Sequence, residues 1–264
     1  MLNPVAIAAV VLACTLGAAS VGMVLHGRLP SHHLAAESRD VVKLVMGLIA
    51  TMAALVLSLL IASANSSLDA QISELKTASA NIVLLDRTLE AYGPGAKTAR
   101  DSLRDLVRQT HTRIWAPEGL RMENLNSKET QKSADSCFWR IVNLSPKTDL
   151  QRAMKSRAIE HLESIARSRL LMLEQLGGSI SWPFLAVLIF WVSVLFLGFG
   201  LFVRFNVTVI VAFAVGALSV AAAIFLILEL NDPYRGLMRI SDKPVLDAIA
   251  QIDRQGFNGG RGMD

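Results

Sequence analysis

The chain has 264 residues, of which 52% are hydrophobic and 18% charged, and its formal net charge is +4. A soluble domain usually carries about 25% charged residues, so the composition argues against a water-soluble protein. The basic residues are spread along the sequence, and only two Tyr are present, whereas a nucleic-acid site needs clustered basic residues with aromatic side chains. We therefore expect a membrane protein without a nucleic-acid partner.

Four long apolar runs predict transmembrane helices at residues 4–25, 44–65, 183–203 and 207–229. Each run has about the ~20 residues that a helix needs to cross a hydrocarbon core. No Lys or Arg precedes the first run, and the run is longer than the apolar region of a signal peptide. We therefore predict that the first helix is retained.

The loop after the first run carries both histidine and basic residues. His33 and Glu37 are four residues apart, but the usual spacing of metal ligands is missing, so an interfacial loop is favoured over a metal site. Arg28, Arg39 and Lys43 surround a membrane entry. They would attract anions at the mouth of a pore, or else serve as ordinary interface anchors.

Small residues recur four apart in the apolar runs, as at Ala18 and Gly22, at Gly47 and Thr51, and at Ala50 and Ala54. Close approach at small residues favours the association of membrane helices. Packing within one chain is favoured over contacts between subunits, although the spacing alone does not separate the two.

Residues 66–180 form a polar middle that we predict to be a helical domain of three helices. The apolar stripe from Leu68 continues the second membrane run, Gly93–Pro94–Gly95 ends it, and a second helix follows at 96–114. Residues 116–136 are the least regular stretch and are predicted to form a loop, with a short helical piece as the alternative, and the type of the apolar segment 137–144 is left open. A long third helix is predicted from Ser145–Pro146 onwards.

The third run is rich in Phe and Trp, which suits a large lipid-facing surface, and the turn to the fourth run is short enough to predict an antiparallel hairpin. Glu229 stands at the end of the fourth run, and otherwise no Asp, Glu, Lys, Arg or His lies in the runs, which argues against a proton-coupled pump. The known motifs of hydrolases and phosphate-binding loops are missing, so we expect no enzyme and no cofactor. Residues 230–264 form a tail whose short amphipathic helix would lie on the membrane or on the middle domain.

Two short motifs point to a known family. The first motif follows the first helix and consists of Leu29, Pro30, His33 and Glu37. The second motif lies at the end of the fourth helix and consists of Glu229, Asp232, Pro233 and Gly236. Together with the continuous second helix, they resemble the bacterial bestrophin-like membrane proteins, a family of unknown function that is distantly similar to the bestrophin anion channels.

This resemblance implies four membrane helices per subunit, a helical cytoplasmic domain, and a homo-oligomer, by resemblance a pentamer, around an anion-permeable pore lined by the second helix. The pore-lining residues would be Ile49, Met52, Val56 and Leu60, although the same residues could face the bundle or lipid. The second run has no Phe, unlike the aromatic neck of bestrophins, and the acidic calcium-binding cluster of animal bestrophins is missing. Both departures weaken the transfer of conduction and gating.

Two functions are therefore expected: an anion-permeable channel, or a non-conducting scaffold or accessory subunit that docks a partner. Lys and Arg near the helix ends slightly favour the side that carries the termini and the middle domain. We place that side in the cytoplasm and the protein in a bacterial inner membrane.

Overall fold

A computed structural model of the protein describes residues 3–28, 36–116, 119–120, 126–175, 182–203, 205–231 and 240–259. Nearly all of this part is helical, which confirms the all-helical class and its four long apolar helices. The helices are α1 (Pro4–Arg28), α2 (Ala36–Tyr92), α3 (Lys97–Ile114), α4 (Lys128–Val142), α5 (Asp149–Gln175), α6 (Trp182–Leu201), α7 (Val207–Asn231) and α8 (Lys243–Gly259). A 3₁₀ turn, Pro94–Ala96, precedes α3, and the strands β1 (Trp115–Ala116) and β2 (Gly119–Leu120) form one antiparallel pair.

The chain divides into two compact units. The membrane unit consists of Met1–Ser66 and Ser179–Asn231, and the helical unit consists of Ser67–Gly178 and Asp232–Asp264. Helix α2 contributes its first part to the membrane unit and its second part to the helical unit, because the apolar run and the following amphipathic stripe form one helix.

The membrane unit contains α1, α6, α7 and the first part of α2, and by length and apolarity all four helices can cross a membrane. Helix α1 packs along both α6 and α7. A Cβ atom on Gly22 would collide with the carbonyl oxygen of Leu197, and one on Gly200 would collide with that of Ala19. The backbones of α1 and α6 are therefore in direct contact, which only glycine permits at these positions.

Helices α1 and α6 are parallel. Their carboxyl ends meet where Nδ1 of His26 lies 2.8 Å from the carbonyl oxygen of Leu201. Phe184, Phe190 and Phe199 of α6 are exposed, whereas Leu185, Leu188 and Leu195 are buried. The third run thus combines exposed aromatic residues, which its composition predicted to face lipid, with closely packed positions that its large residues concealed.

The helical unit is built around the second part of α2, which packs with α3, α4, α5 and α8 in one apolar core. Gly93 has φ of 100°, a conformation that favours glycine, and turns the chain from α2 into α3. Helix α8 lies on α3, where Val245 enters the core and Asp253 pairs with Arg108 at 2.6 Å. The amphipathic tail helix therefore packs on the helical unit, one of its two expected positions.

Helix α4 begins at Lys128, inside the stretch predicted as a loop with a short helical piece as the alternative, and it continues through most of the segment whose type was left open. Ser127 caps this helix by accepting a hydrogen bond from the backbone N–H of Thr130. The buried residues of α4 are Thr130, Cys137 and Ile141. Since only one of these is strongly apolar, the helical period was not visible in the sequence, and the middle has one helix more than the predicted three.

Candidate functional site

The first part of α2 presents a packed face to the membrane unit. Met46 and Ala53 are buried, and a Cβ atom on Gly198 of α6 would lie 2.7 Å from the sulfur of Met46. Leu57 and Leu60 are half-buried against the apolar cluster of the same unit. One side of α2 is therefore fixed against its own bundle.

The predicted pore stripe, Ile49, Met52, Val56 and Leu60, borders this packed face. Met52 is 42% exposed, and the other three residues are half-buried. Leu60 contacts the apolar cluster of its own subunit. Within one chain the stripe is thus accessible in part, most fully at Met52.

The opposite side of α2 is more exposed. Its leucine face, Leu44, Leu48, Leu55 and Leu59, has exposed fractions of 62–76%. Leu44 lies nine residues before the packed Ala53, and Leu55 lies nine residues before the packed Ala64. Nine residues make two and a half helical turns, so the two members of each pair are on opposite sides of α2. The leucine face is therefore directed away from the bundle.

Beside the leucine face lies a small-residue face formed by Gly47, Thr51, Ala54 and Ser58, all of them exposed. A Cβ atom on Gly47 would meet no atom within 4 Å. Thr51 and Ser58 donate hydrogen bonds to the carbonyl oxygens of Leu48 and Ala54, at 2.7 and 2.8 Å. These small residues therefore do not pack within their own chain, and they leave room for a neighbouring helix.

The predicted pore-mouth charges are only partly described. Arg28 is exposed at the end of α1, and Lys43 lies 3.6 Å from Asp40 on the exposed surface of α2. Arg39 and Glu37 belong to the first turn of α2, but their side chains are outside the described residues. Arg28 and Lys43 are thus both exposed. Their two predicted roles, as pore-mouth charges or as interface anchors, stay predictions.

The family-like motifs fall largely on residues that the structure does not describe: Leu29, Pro30, His33, Asp232, Pro233 and Gly236. Glu229 is described in the last turns of α7, and only 7% of its surface is exposed. A buried carboxylate in a membrane helix is costly unless a polar or charged partner compensates it.

A buried ion-pair cluster stabilises the helical unit. Asp86 of α2 is fully buried and accepts two hydrogen bonds from Arg100 of α3, at 3.0 and 2.8 Å, while Arg104 lies 3.5 Å away. The hydrogen bonds that Arg100 donates to Asp86 raise the pKa of Arg100, against the effect of burial. Arg104 also lies 3.8 Å from the exposed Asp101, three residues earlier on α3, but Asp86 is its buried partner.

The helical unit also contains a largely apolar cavity of about 330 Å³, between α2, α3, α4 and α5. Its walls include Leu103, Val107 and Met172, and His111 and Trp115 line it as well. Asp135, Glu163 and Arg169 are its charged residues besides His111. The sequence did not reveal this cavity, because α4, which forms one wall, was read as a loop over most of its length.

The fold and the uncharged spans define the class: a helical protein whose four long apolar helices suit a membrane. A family model, the Bestrophin-like domain, matches residues 13–245. The chain therefore belongs to the Bestrophin-like family, as the short motifs predicted. Neither the curated proteins nor the solved structures contain a match to it.

Proposed function

We propose that the protein is a homo-oligomeric, anion-permeable channel in which α2 lines the pore. The observation that carries this proposal is the side of α2 that its own chain leaves uncovered. A helix with one face against its own bundle and the opposite face exposed can line the central axis of a ring of subunits. The other helices of each subunit then lie on the outside of the ring. Membership of the Bestrophin-like family supports this arrangement, and a pentamer is the stoichiometry that the family likeness implies.

An apolar neck is compatible with conduction. Hydrophobic constrictions gate by dewetting and need no buried charge, while Lys and Arg at a pore mouth attract anions. Arg28, Arg39 and Lys43 would form that mouth. Either the predicted stripe, with Met52 as its most accessible residue, or the leucine face would form the neck.

The topology that we propose has two membrane hairpins, α1 with α2 and α6 with α7, with the helical unit inserted between them. The parallel packing of α1 and α6 supports it, because the first and third crossings of such a chain run in the same direction. We place the termini and the helical unit in the cytoplasm of a bacterium, on the side favoured by the basic residues near the helix ends.

The test is anion flux from vesicles that contain the purified protein, after its subunit number has been counted in particle images. We expect a ring and chloride efflux above that of protein-free vesicles. A verified oligomer without efflux would contradict the channel.

Cysteine accessibility then identifies the pore face. Leu55→Cys and Val56→Cys, each in a Cys14→Ala background, place thiols at one depth but 100° apart around α2. A charged, water-soluble thiol reagent should inhibit flux only at the position that faces the pore. Val10→Cys, on an exposed part of α1, is the lipid-facing control.

The second candidate function is a non-conducting scaffold or accessory subunit. One surface observation favours it: Phe138 and Trp139 of α4 are 37% and 58% exposed and contact each other edge to face at 5.5 Å. Exposed aromatic residues are enriched at protein interfaces. A single copy of the chain inside a larger purified complex would favour this function over the channel.

A further inference from the structure

We infer that the cavity of the helical unit is a binding site for a small hydrophobic organic cation, an amine or quaternary ammonium with an apolar body. This inference is independent of conduction, because every residue that carries it belongs to the helical unit. It rests on the shape of the cavity, the distribution of charge on its wall, and the aromatic side chains beside that charge.

The cavity has the size and composition of a ligand pocket. Small-molecule sites are typically apolar clefts of about 300–1,000 Å³ with a few polar groups that fix the orientation of the ligand. At about 330 Å³, this cavity lies at the lower end of that range. Sites between the helices of a bundle are among the common locations.

One end of the cavity reaches the surface. Asp135, Phe138, Glu163 and Ala166 line the cavity and are exposed, whereas Leu103 and Met172 are buried. A ligand can therefore enter past the exposed residues and place its apolar body against the buried ones. Burial of apolar surface would supply most of the binding free energy.

The charge at this opening is negative. Asp135 and Glu163 are carboxylates, and Arg169 is the one guanidinium among the described lining residues. Burial lowers the pKa of Arg169, and the nearby Asp135 acts against that effect. Two carboxylates and one guanidinium give these described lining side chains a net charge of minus one.

The remaining ionisable lining residue does not reverse this balance. His111 is paired with Asp242, whose carboxylate oxygen lies 3.1 Å from Nε2, and its ring stacks on Trp115. Any positive charge on His111 would therefore have its own carboxylate partner. Because two carboxylates face one guanidinium, the described lining residues favour a cation over an anion.

An aromatic ring stands beside these carboxylates. Phe138 lines the cavity from α4, one turn after Asp135. Aromatic faces attract organic cations through their quadrupole, and quaternary ammonium groups are often recognised in this way. The head group of the ligand is thus assigned to Asp135, Glu163 and Phe138.

The test compares two probes of matched shape, phenylbutylammonium and phenylbutyrate, by calorimetry with the full chain in lipid nanodiscs and with empty nanodiscs as blank. We expect saturable binding of the ammonium and at least tenfold weaker binding of the carboxylate. Equal or tighter binding of the carboxylate would overturn the inference, and so would the absence of any saturable ammonium binding at millimolar concentration.

Two variants with matched controls locate the site. Glu163→Gln should weaken ammonium binding about two- to fivefold, as expected for a partly solvated ion pair, while Glu160→Gln on the same helix should not change it. Ala166→Phe should abolish binding by filling the opening, and Ala153→Phe, at an exposed position outside the cavity, should leave it intact. If either pair of variants behaves alike, the ligand binds elsewhere and the assignment to this cavity is wrong.

Discussion

The two units of the molecule are stabilised by different physical means. In the membrane unit, α1 and α6 meet backbone to backbone at Gly22 and Gly200, and hydroxyl groups such as that of Thr15 donate to the carbonyl oxygens of their own helix. In the helical unit, larger apolar side chains fill the core, and a buried carboxylate, Asp86, joins two helices through arginines.

This difference follows from the two solvents. Water favours the burial of any apolar side chain, so the helical unit gains stability in proportion to the area that it buries. Lipid is as apolar as leucine, so the membrane unit gains from close packing and not from burial as such. The membrane unit should therefore be most sensitive to added volume at glycine, and the helical unit to lost partners in its core.

The largest effect that we predict is in the membrane unit. Gly22→Leu forces a side chain into the backbone of α6 near Leu197, and no rotamer change can relieve that collision. We expect a loss of more than about 3 kcal/mol, above the usual 1–3 kcal/mol for overpacking. The readout is the yield of monodisperse protein and its unfolding midpoint in one detergent.

Gly17→Leu is the control for this substitution. It adds the same side chain to the same helix, at a position where a Cβ atom meets nothing within 4 Å. Leu is also a better helix former than Gly, so Gly17→Leu should cost little or nothing. Equal losses in the two variants would show that the backbone contact at Gly22 does not cause the loss.

In the helical unit, we predict the largest effect for Asp86→Ala. This change leaves Arg100 and Arg104 together without their shared buried carboxylate. We expect a loss of about 3 kcal/mol, at the low end for a broken buried pair, because both arginines retain some contact with solvent. Denaturant unfolding, with hydrogen exchange of residues 97–114, would measure it.

Asp101→Ala provides the comparison, since Asp101 is exposed and lies farther from Arg104. It should cost less than about 1 kcal/mol. A similar cost for both substitutions would mean that burial of Asp86 adds nothing to its contact with the arginines.

The same contrast explains what could be predicted from the sequence. The apolar runs were visible because a membrane helix needs only length and the absence of charge, and the stripe from Leu68 to Leu89 was visible because large apolar residues recur at a helical spacing. Helix α4 was not visible in the sequence, since Thr130, Ala134 and Cys137 form most of its inner side. Its buried face carries too little hydrophobic signal.

Contacts between distant parts of the chain were also outside the reach of sequence patterns. Gly198 and Gly200 lie among Phe and Leu, and nothing local indicates that Met46 of α2 meets the first and that α1 meets the second. Asp86 interrupts an apolar stripe and reads as a surface residue until Arg100 is placed beside it. The cavity is formed by four helices, so no single segment carries a signal for it.

A third prediction concerns the pH dependence of the helical unit. Burial raises the pKa of the Cys137 thiol from 9.0 to about 11, with a small opposing effect of Arg140. Between these pH values the unfolded chain releases the thiol proton and the folded chain keeps it. The free energy of unfolding should therefore fall as pH rises through this window, by up to about 2 kcal/mol.

Unfolding of the helical unit at several pH values between 9 and 11, in the natural chain and in Cys137→Ala, isolates this contribution. The variant is expected to be less stable throughout, because it lacks a buried sulfur, but its stability should decline less steeply. Parallel curves for the two proteins would show that the thiol is not the group responsible.

The smallest predicted effect is at the surface of the helical unit, where Arg108 of α3 pairs with Asp253 of α8. Asp253 and nearby Asp105 raise the pKa of Arg108, but both members of the pair are well exposed, so solvent and salt weaken their attraction. We expect Asp253→Asn to cost less than about 1 kcal/mol and to have no effect at high salt. A double-mutant cycle with Arg108→Gln would isolate the pairwise energy.

Ile252, which is fully buried beside Asp253, sets the scale: Ile252→Ala should cost several times more, about 2–4 kcal/mol, since it removes apolar packing. If the ion pair proved to be worth as much as the isoleucine, α8 would be attached by charge, and the helical unit would not depend on its apolar core in the way that separates it from the membrane unit.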